Sequence, residues 1–179
     1  MIDGKVAVAV VGCGGMGGGH AVAISTGSGQ ALWMTDGSKG RELEPGDTDL
    51  TKKMVLAGTF DVKEERQQWA KNQGFHTYES FEEILADETV DAVLVATPND
   101  SHKELSIRAM RAGKHVLCEK PVMMNSSDLE DVMAVSTETG KVFYPRQNRR
   151  WDKDYLVMKK VYDEKLIGNV FHIESRYQG

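Results

Sequence analysis

The sequence predicts an α/β protein built on a doubly wound parallel sheet, and three observations carry that prediction. Continuous apolar, largely β-branched runs recur along the chain, the first being Lys5-Val6-Ala7-Val8-Ala9-Val10-Val11. Such runs suit strands buried on both faces, the condition of a parallel sheet covered by helices. Helix-compatible stretches alternate with them, as parallel crossovers require. The first run also passes directly into a glycine-rich turn, Gly12-Cys13-Gly14-Gly15-Met16-Gly17, that opens the first helix.

The elements follow in order. The first helix is expected from about Met16 to Ile24. Thr26–Lys53 is a long connection, rich in Gly, Ser, Asp and Thr but holding Leu32, Trp33 and Met34. It reads as a surface insertion with a small apolar anchor. Its carboxylates, Asp36, Glu42, Glu44, Asp47 and Asp49, read as a solvated run rather than a metal site. Met54–Phe60 is the second strand and runs into Asp61. A helix is expected over Lys63–Gln73, stopped by Gly74, then a short strand over Phe75–Tyr78. Ser80-Phe81-Glu82-Glu83 is a capping-box pattern that opens another helix. Ala92–Ala96 is a further buried strand, ended by Thr97-Pro98-Asn99, and Lys103–Ala112 a helix ending at Gly113. His115–Cys118 reads as a strand, Ser127-Asp128-Leu129-Glu130 as a second capping box with its helix running to Gly140, and Val142–Tyr144 as one more strand.

The pattern changes near the end. Lys153–Lys165 reads as an amphipathic helix closed by Ile167-Gly168. From Val170 to Tyr177 apolar and polar residues alternate, with Phe171, Ile173 and Tyr177 on one face and His172, Glu174 and Arg176 on the other. That period belongs to a half-exposed antiparallel sheet. The expected organisation is therefore a Rossmann-type doubly wound domain over residues 1–145. The first helix and strand of a second, α+β domain would occupy 146–179, truncated by the end of the chain.

Composition narrows the function classes. The chain has 179 residues, 40% of them hydrophobic and 27% charged, with a formal net charge of -5. Those values fit a globular chain with a core and give no basis for nucleic-acid binding through phosphate neutralisation. The two cysteines, Cys13 and Cys118, form no C-x-x-C or zinc-spaced set, so neither a disulfide framework nor a metal site is expected. No signal peptide and no apolar run of membrane-spanning length is read, so a cytoplasmic location and no membrane partner are expected.

The glycine turn carries the first chemistry. In Gly12-x-Gly14-x-x-Gly17, the first glycine permits the tight turn and the second lets backbone approach a pyrophosphate. The third lets helix and strand pack closely. Free N–H groups at the helix start then face phosphate, favoured by the helix dipole. A dinucleotide is the expected ligand; a plain flexible turn and a methyltransferase's glycine-rich turn are the competing readings. Asp61, ending the second strand, can accept from both hydroxyls of an adenosine ribose and repel a 2′-phosphate, which favours NAD over NADP. Lys63 and Arg66 nearby can tolerate a phosphate, and Asp61 can instead cap the following helix. Glu119-Lys120-Pro121 follows a strand at the carboxyl edge of the sheet, where ligands of such folds bind. Lys120 there can orient a substrate hydroxyl or assist its proton transfer. A cis Pro121 is expected, since tight turns at functional sites use that isomer.

These motifs together resemble a known family. Ala96-Thr97-Pro98-Asn99-x-x-His102, then Ala112-Gly113-Lys114-His115-Val116-Leu117-Cys118-Glu119-Lys120-Pro121, is similar to the Gfo/Idh/MocA oxidoreductases. The likeness continues through Gln147-Asn148-Arg149-Arg150-Trp151 and Leu166-Ile167-Gly168-Asn169-Val170. The resemblance implies that Gly12, Gly14, Gly15, Met16 and Gly17 bind the pyrophosphate and Asp61 the ribose of NAD, with NADP as the alternative. It implies that Thr97, Pro98, Asn99 and His102 line the path along the cofactor. Glu119 would contact the nicotinamide-side ribose, and Asn148 and Arg150 would sit near the nicotinamide end. Lys120 would be the catalytic lysine, touching both cofactor and reacting hydroxyl. His20 and His76 are left structural. The family's further catalytic Asp and His belong to its second domain and have no assignment within residues 1–179.

The expected activity is hydride transfer between a nicotinamide and a sugar, inositol or related polyol. A cofactor-binding regulatory or non-catalytic module is the alternative. The expected partners are a small polyol or sugar and further copies of the chain in a homo-oligomer.

Overall fold

Five strands, β1 (Val6–Val11), β2 (Met54–Phe60), β3 (Ala92–Val95), β4 (His115–Cys118) and β5 (Phe143–Pro145), pair in one sheet. All four pairings are parallel, in the order β2-β1-β3-β4-β5. The structure is a computed structural model and describes residues 1–27 and 49–176. The expectations placed on 28–48, with Trp33 and its neighbours, and on Tyr177 lie outside the described residues.

The apolar runs form strands because both faces of each strand are covered. Ala9, Val11, Val93, Val95, Val116 and Cys118 feed one core. That core is closed by Phe81 and Ile84 of α3 (Phe81–Ala86), Ala109 and Met110 of α4 (His102–Arg111), and Val132 and Val135 of α5 (Ser126–Thr139). The alternate residues Val8, Val10 and Leu94 feed the other core with Ala21 and Ile24 of α1 (Gly15–Thr26). Period-2 geometry sends neighbours to opposite faces, so a strand buried on both sides must be apolar throughout. α2 (Glu64–Asn72) packs Trp69 against Val22 of α1, and the terminal ring carbon of Trp69 would come within 2.9 Å of a Cβ placed on Gly18.

Several local expectations shift. Phe75–Tyr78 makes no full strand; it forms a single parallel bridge, Thr59 to Thr77. The partner β2 bulges there, with Ala57 unpaired between Leu56 and Gly58. A side chain on Gly58 would strike Tyr78 and His76. Ser80 caps α3 as expected, accepting from the Glu83 N–H at 3.2 Å, while the Glu83 carboxylate reaches back to the Glu79 N–H at 2.8 Å. The second cap lies two residues before its expected place. Asn125, not Ser127, caps α5, accepting from the Asp128 N–H at 2.8 Å. An asparagine oxygen is as good an N-cap as a serine hydroxyl, so the pattern alone did not separate them.

The chain divides into two compact units, Met1–Arg146 and Gln147–Gly179. In the second, Asn148–Trp151 forms a short 3₁₀ turn and α6 spans Lys153–Asp163. Residues 170–176 form no strand, contrary to the alternating pattern, and Phe171 is fully exposed. A strand exists by pairing, and no described residue pairs with this segment.

The topology positions the site. The chain leaves β1, forms β2 on one side, then crosses to β3 on the other side of β1. That reversal opens a crevice beyond the carboxyl ends of β1 and β3, where doubly wound sheets bind ligands.

Candidate functional site

The glycine turn closes the crevice from the β1 side, and its glycines serve different ends. Gly12 has φ of 91°, a conformation side chains rarely adopt, and a Cβ on it would lie 2.6 Å from the Ala96 carbonyl oxygen. A Cβ on Gly17 would lie 1.7 Å from the Gly12 oxygen. The chain itself needs these two glycines. Gly14 differs: its φ is -67°, open to any residue, and nothing lies within 4 Å of where its Cβ would be. Gly15 likewise faces open space. Gly14 caps α1 with no side-chain hydrogen bond and no acidic residue follows in the first turn. The opening N–H groups of a helix have no partner within it, and here they carry the positive end of the dipole. Gly14, Gly15, Met16 and Gly17 thus fit a pyrophosphate, which needs close backbone approach and N–H donors.

A cavity of about 580 Å³ continues from Gly12 and Gly14 past Phe60, Asp61 and Val62 to Ala96, Thr97, Pro98, Ser101 and Leu105. Its walls are largely apolar with a few charged groups, the carboxylates of Asp61 and Asp100 among them, the usual make-up of a small-molecule site. Asp61 is pinned in place: Oδ2 accepts from the Cys13 N–H at 2.6 Å and Oδ1 from the Lys63 N–H at 2.9 Å. The cap of α2 is Lys63, so Asp61 shapes the turn before the helix without capping it. Each carboxylate oxygen offers two acceptor sites, so both retain one for a ribose hydroxyl. Lys63 and Arg66 line the same cavity.

On the β3 side, Thr97 hydrogen-bonds Ser101 through their hydroxyls at 2.6 Å, and the exposed Pro98 and Asn99 lead into α4. His102 does not line this path. It is 0% exposed, with Nε2 at 2.9 Å from the Thr97 oxygen and Nδ1 at 3.1 Å from the Pro121 oxygen. Both ring nitrogens face backbone, so the histidine ties the Thr97 turn to the loop after β4.

Glu119 also departs from its expected role. Its side chain is 5% exposed and is engaged by groups of the fold itself. Oε1 meets Nε2 of His20 at 2.7 Å and an Arg146 guanidinium nitrogen at 3.0 Å, while Oε2 accepts from the Lys120 N–H at 3.1 Å. Burial pushes this carboxyl up, but the His20 hydrogen bond and the Arg146 charge outweigh it and hold it below the usual range. His20 was left structural from sequence and Arg146 was not singled out, because they stand 99 and 27 residues from Glu119. Lys120 is exposed at the carboxyl edge, and the Lys120–Pro121 bond is cis, as expected.

Asn148 and Arg150 lie in the 3₁₀ turn of the second unit, with Arg150 exposed. Neither cysteine is a nucleophile at neutral pH: burial pushes the Cys13 thiol up to about 11 and the Cys118 thiol up to about 12. Among the described residues no group of three or more His, Cys, Asp or Glu could hold a metal ion. Among them also, no helix is long and apolar enough to cross a membrane.

Known proteins are similar to this chain in sequence and fold. Residues 6–147 match the Gfo/Idh/MocA family, described as "Oxidoreductase family, NAD-binding Rossmann fold". A myo-inositol 2-dehydrogenase from Thermotoga maritima is 32% identical over 126 residues, 68% of this chain and 38% of that protein. A 1,5-anhydro-D-fructose reductase from Ensifer adhaerens is 39% identical over 98 residues, 52% of this chain and 29% of that protein. Among solved structures, an NAD-binding protein from Listeria innocua superposes with a TM-score of 0.76 at 43% identity, covering 94% of this chain and 43% of its own. The chain thus spans less than half the length of each. With the glycine turn, the Asp61 cavity and a match over residues 6–147, this chain belongs to the Gfo/Idh/MocA oxidoreductase family and carries its NAD-binding Rossmann domain.

Proposed function

We propose that the chain is the cofactor-binding part of a dehydrogenase that moves a hydride between NAD and the CH–OH carbon of a sugar, inositol or related polyol. The observation that carries this reading is one sheet edge. It holds the Gly14–Asp61 cavity and an exposed lysine whose flanking backbone is tied down by Glu119 and His102. The names of the inositol dehydrogenase and anhydrofructose reductase relatives support the substrate class. In this reading residues 1–145 form the cofactor domain and 146–179 belong to a second one, supported by the division of the chain into Met1–Arg146 and Gln147–Gly179.

The chain's own residues have separate tasks. The N–H groups of Gly14 to Gly17 bind pyrophosphate, and Asp61 accepts from the adenosine ribose and disfavours a 2′-phosphate. The bound nicotinamide supplies the hydride acceptor or donor. Lys120 holds the reacting hydroxyl and helps its proton leave or return. Thr97, Pro98 and Asn99 form the wall between these ends.

The test is NADH binding followed by a polyol and sugar screen with the full-length gene product and its Lys120→Ala variant. The reading expects turnover on at least one polyol, lost in the variant while NADH binding remains. Tight binding without turnover on any of them would overturn it.

A further inference from the structure

Glu119 is buried, and a buried carboxylate must be paired or neutralised. It is paired by three groups from three parts of the fold. His20 comes from the second turn of α1, Arg146 from the residue after β5, and the Lys120 N–H from the loop itself. The ionised carboxylate only accepts, so Nε2 of His20 carries the hydrogen. Arg146 is anchored twice, since its backbone N–H also donates to the Cys118 oxygen at 2.8 Å. The Glu119 N–H in turn continues the sheet by donating to the Val95 oxygen at 2.9 Å.

Stability alone is a poor reason for this cluster. Taking charges out of water costs about as much as their pairing returns, so a buried ion pair is weak evidence of a stabilising role. What the cluster does uniquely is geometric. It fixes the Glu119 carboxylate from two sides and leaves Oε2 on the Lys120 amide. His102 holds the chain just beyond, at the Pro121 and Val122 oxygens. The helix that carries His20 also carries Gly15, Met16 and Gly17 at its start.

We propose that His20 and Arg146 are positioning residues, which hold Glu119 so that its second oxygen fixes the Lys120 backbone in register with the glycine-turn helix. The inference rests on the reading of Lys120 as the catalytic lysine. Misplacing a reacting group by about 1 Å can cost on the order of a hundredfold in rate.

The test uses His20→Ala and His20→Gln in the full-length gene product, with three readouts. These are amide hydrogen exchange at Lys120 against the amides of β4, NADH affinity, and kcat and KM on the polyol. In His20→Ala, Lys120 exchange should rise about tenfold while β4 amides change less than about twofold. NADH affinity should stay within about twofold, and kcat should fall about tenfold with KM nearly unchanged. His20→Gln places an amide N–H where Nε2 was and should restore most of both losses. Unchanged Lys120 exchange, or raised exchange with unchanged kcat, would overturn the proposal. So would equal loosening across β4, or equal losses in both variants. Turnover surviving Lys120→Ala would instead sink the role of the lysine, and the exchange readout would still decide whether His20 holds its loop.

Discussion

A methyl group placed on Gly14 and, separately, on Gly17 distinguishes what the turn does for a ligand from what it does for the chain. At Gly17 the new carbon would sit 1.7 Å from the Gly12 oxygen, far inside the 3.0 Å that real Cβ atoms respect. The obstacle is backbone, so α1 must move off β1, at a cost of about 3 kcal/mol or more. At Gly14 nothing lies within 4 Å and φ is -67°. Less freedom in the unfolded chain stabilises an alanine there by about 0.4–1 kcal/mol, while alanine is a poorer N-cap by a similar amount. The two nearly cancel, so the fold should keep its stability within about 1 kcal/mol. Binding should suffer instead, because the methyl fills the space in which a pyrophosphate meets the N–H groups. Losing one charge-assisted hydrogen bond costs about 1.5–3 kcal/mol, on the order of a ten- to hundredfold weaker affinity. Urea melts followed by circular dichroism and NADH titration by fluorescence measure both. A Gly14→Ala variant that binds NADH as tightly as the native chain, or that melts as early as Gly17→Ala, would refute the reasoning.

Three other outcomes follow from the site. Asp61 should make NADH bind tighter than NADPH, and Asp61→Ala should weaken NADH about tenfold or more; a native preference for NADPH would contradict its role. His102→Ala empties a fully buried side-chain site and removes the imidazole link between the Thr97 turn and the Pro121 loop, and should cost about 2–4 kcal/mol in a urea melt, whereas a loss confined to NADH affinity would return the residue to the cofactor path. The Glu119 carboxyl is depressed below its ordinary 4.5, so its stabilising contribution is present above that pH and is lost as pH falls through the lower, folded-state value. Stability should therefore fall as pH drops below about 4.5, and Glu119→Gln should show a shallower acid limb; equal slopes would rule this out.

The sheet was legible because its strands announce burial on both faces. β2 and β4 begin and end where their apolar runs do, and the other strands differ only at their ends. The glycine turn was legible as a motif, but only coordinates separate Gly12 and Gly17, which neighbouring backbone demands, from Gly14, which it does not. Side-chain direction was the part that stayed hidden. Glu119 and His102 stand in motifs beside the site and yet turn inward, because their partners, His20, Arg146 and the Pro121 carbonyl, come from remote turns of the chain. Lys114, inside the same motif, proves to be a buried cation on the Asp87 and Val90 oxygens, far from any ligand chemistry the motif implied. The alternation over 170–177 failed as a strand signal because period 2 describes a face, and a face needs a neighbouring strand to become a sheet.

Deuterium tracing puts the central claim to its most direct test. A polyol labelled on its carbinol carbons is incubated with NAD and the full-length gene product, and the nicotinamide is analysed by mass spectrometry. Deuterium on the reduced nicotinamide with native protein, and none with Lys120→Ala although that variant still binds NADH, is the predicted result. NADH bound tightly by a native protein that transfers no deuterium from any sugar, inositol or related polyol would contradict the account.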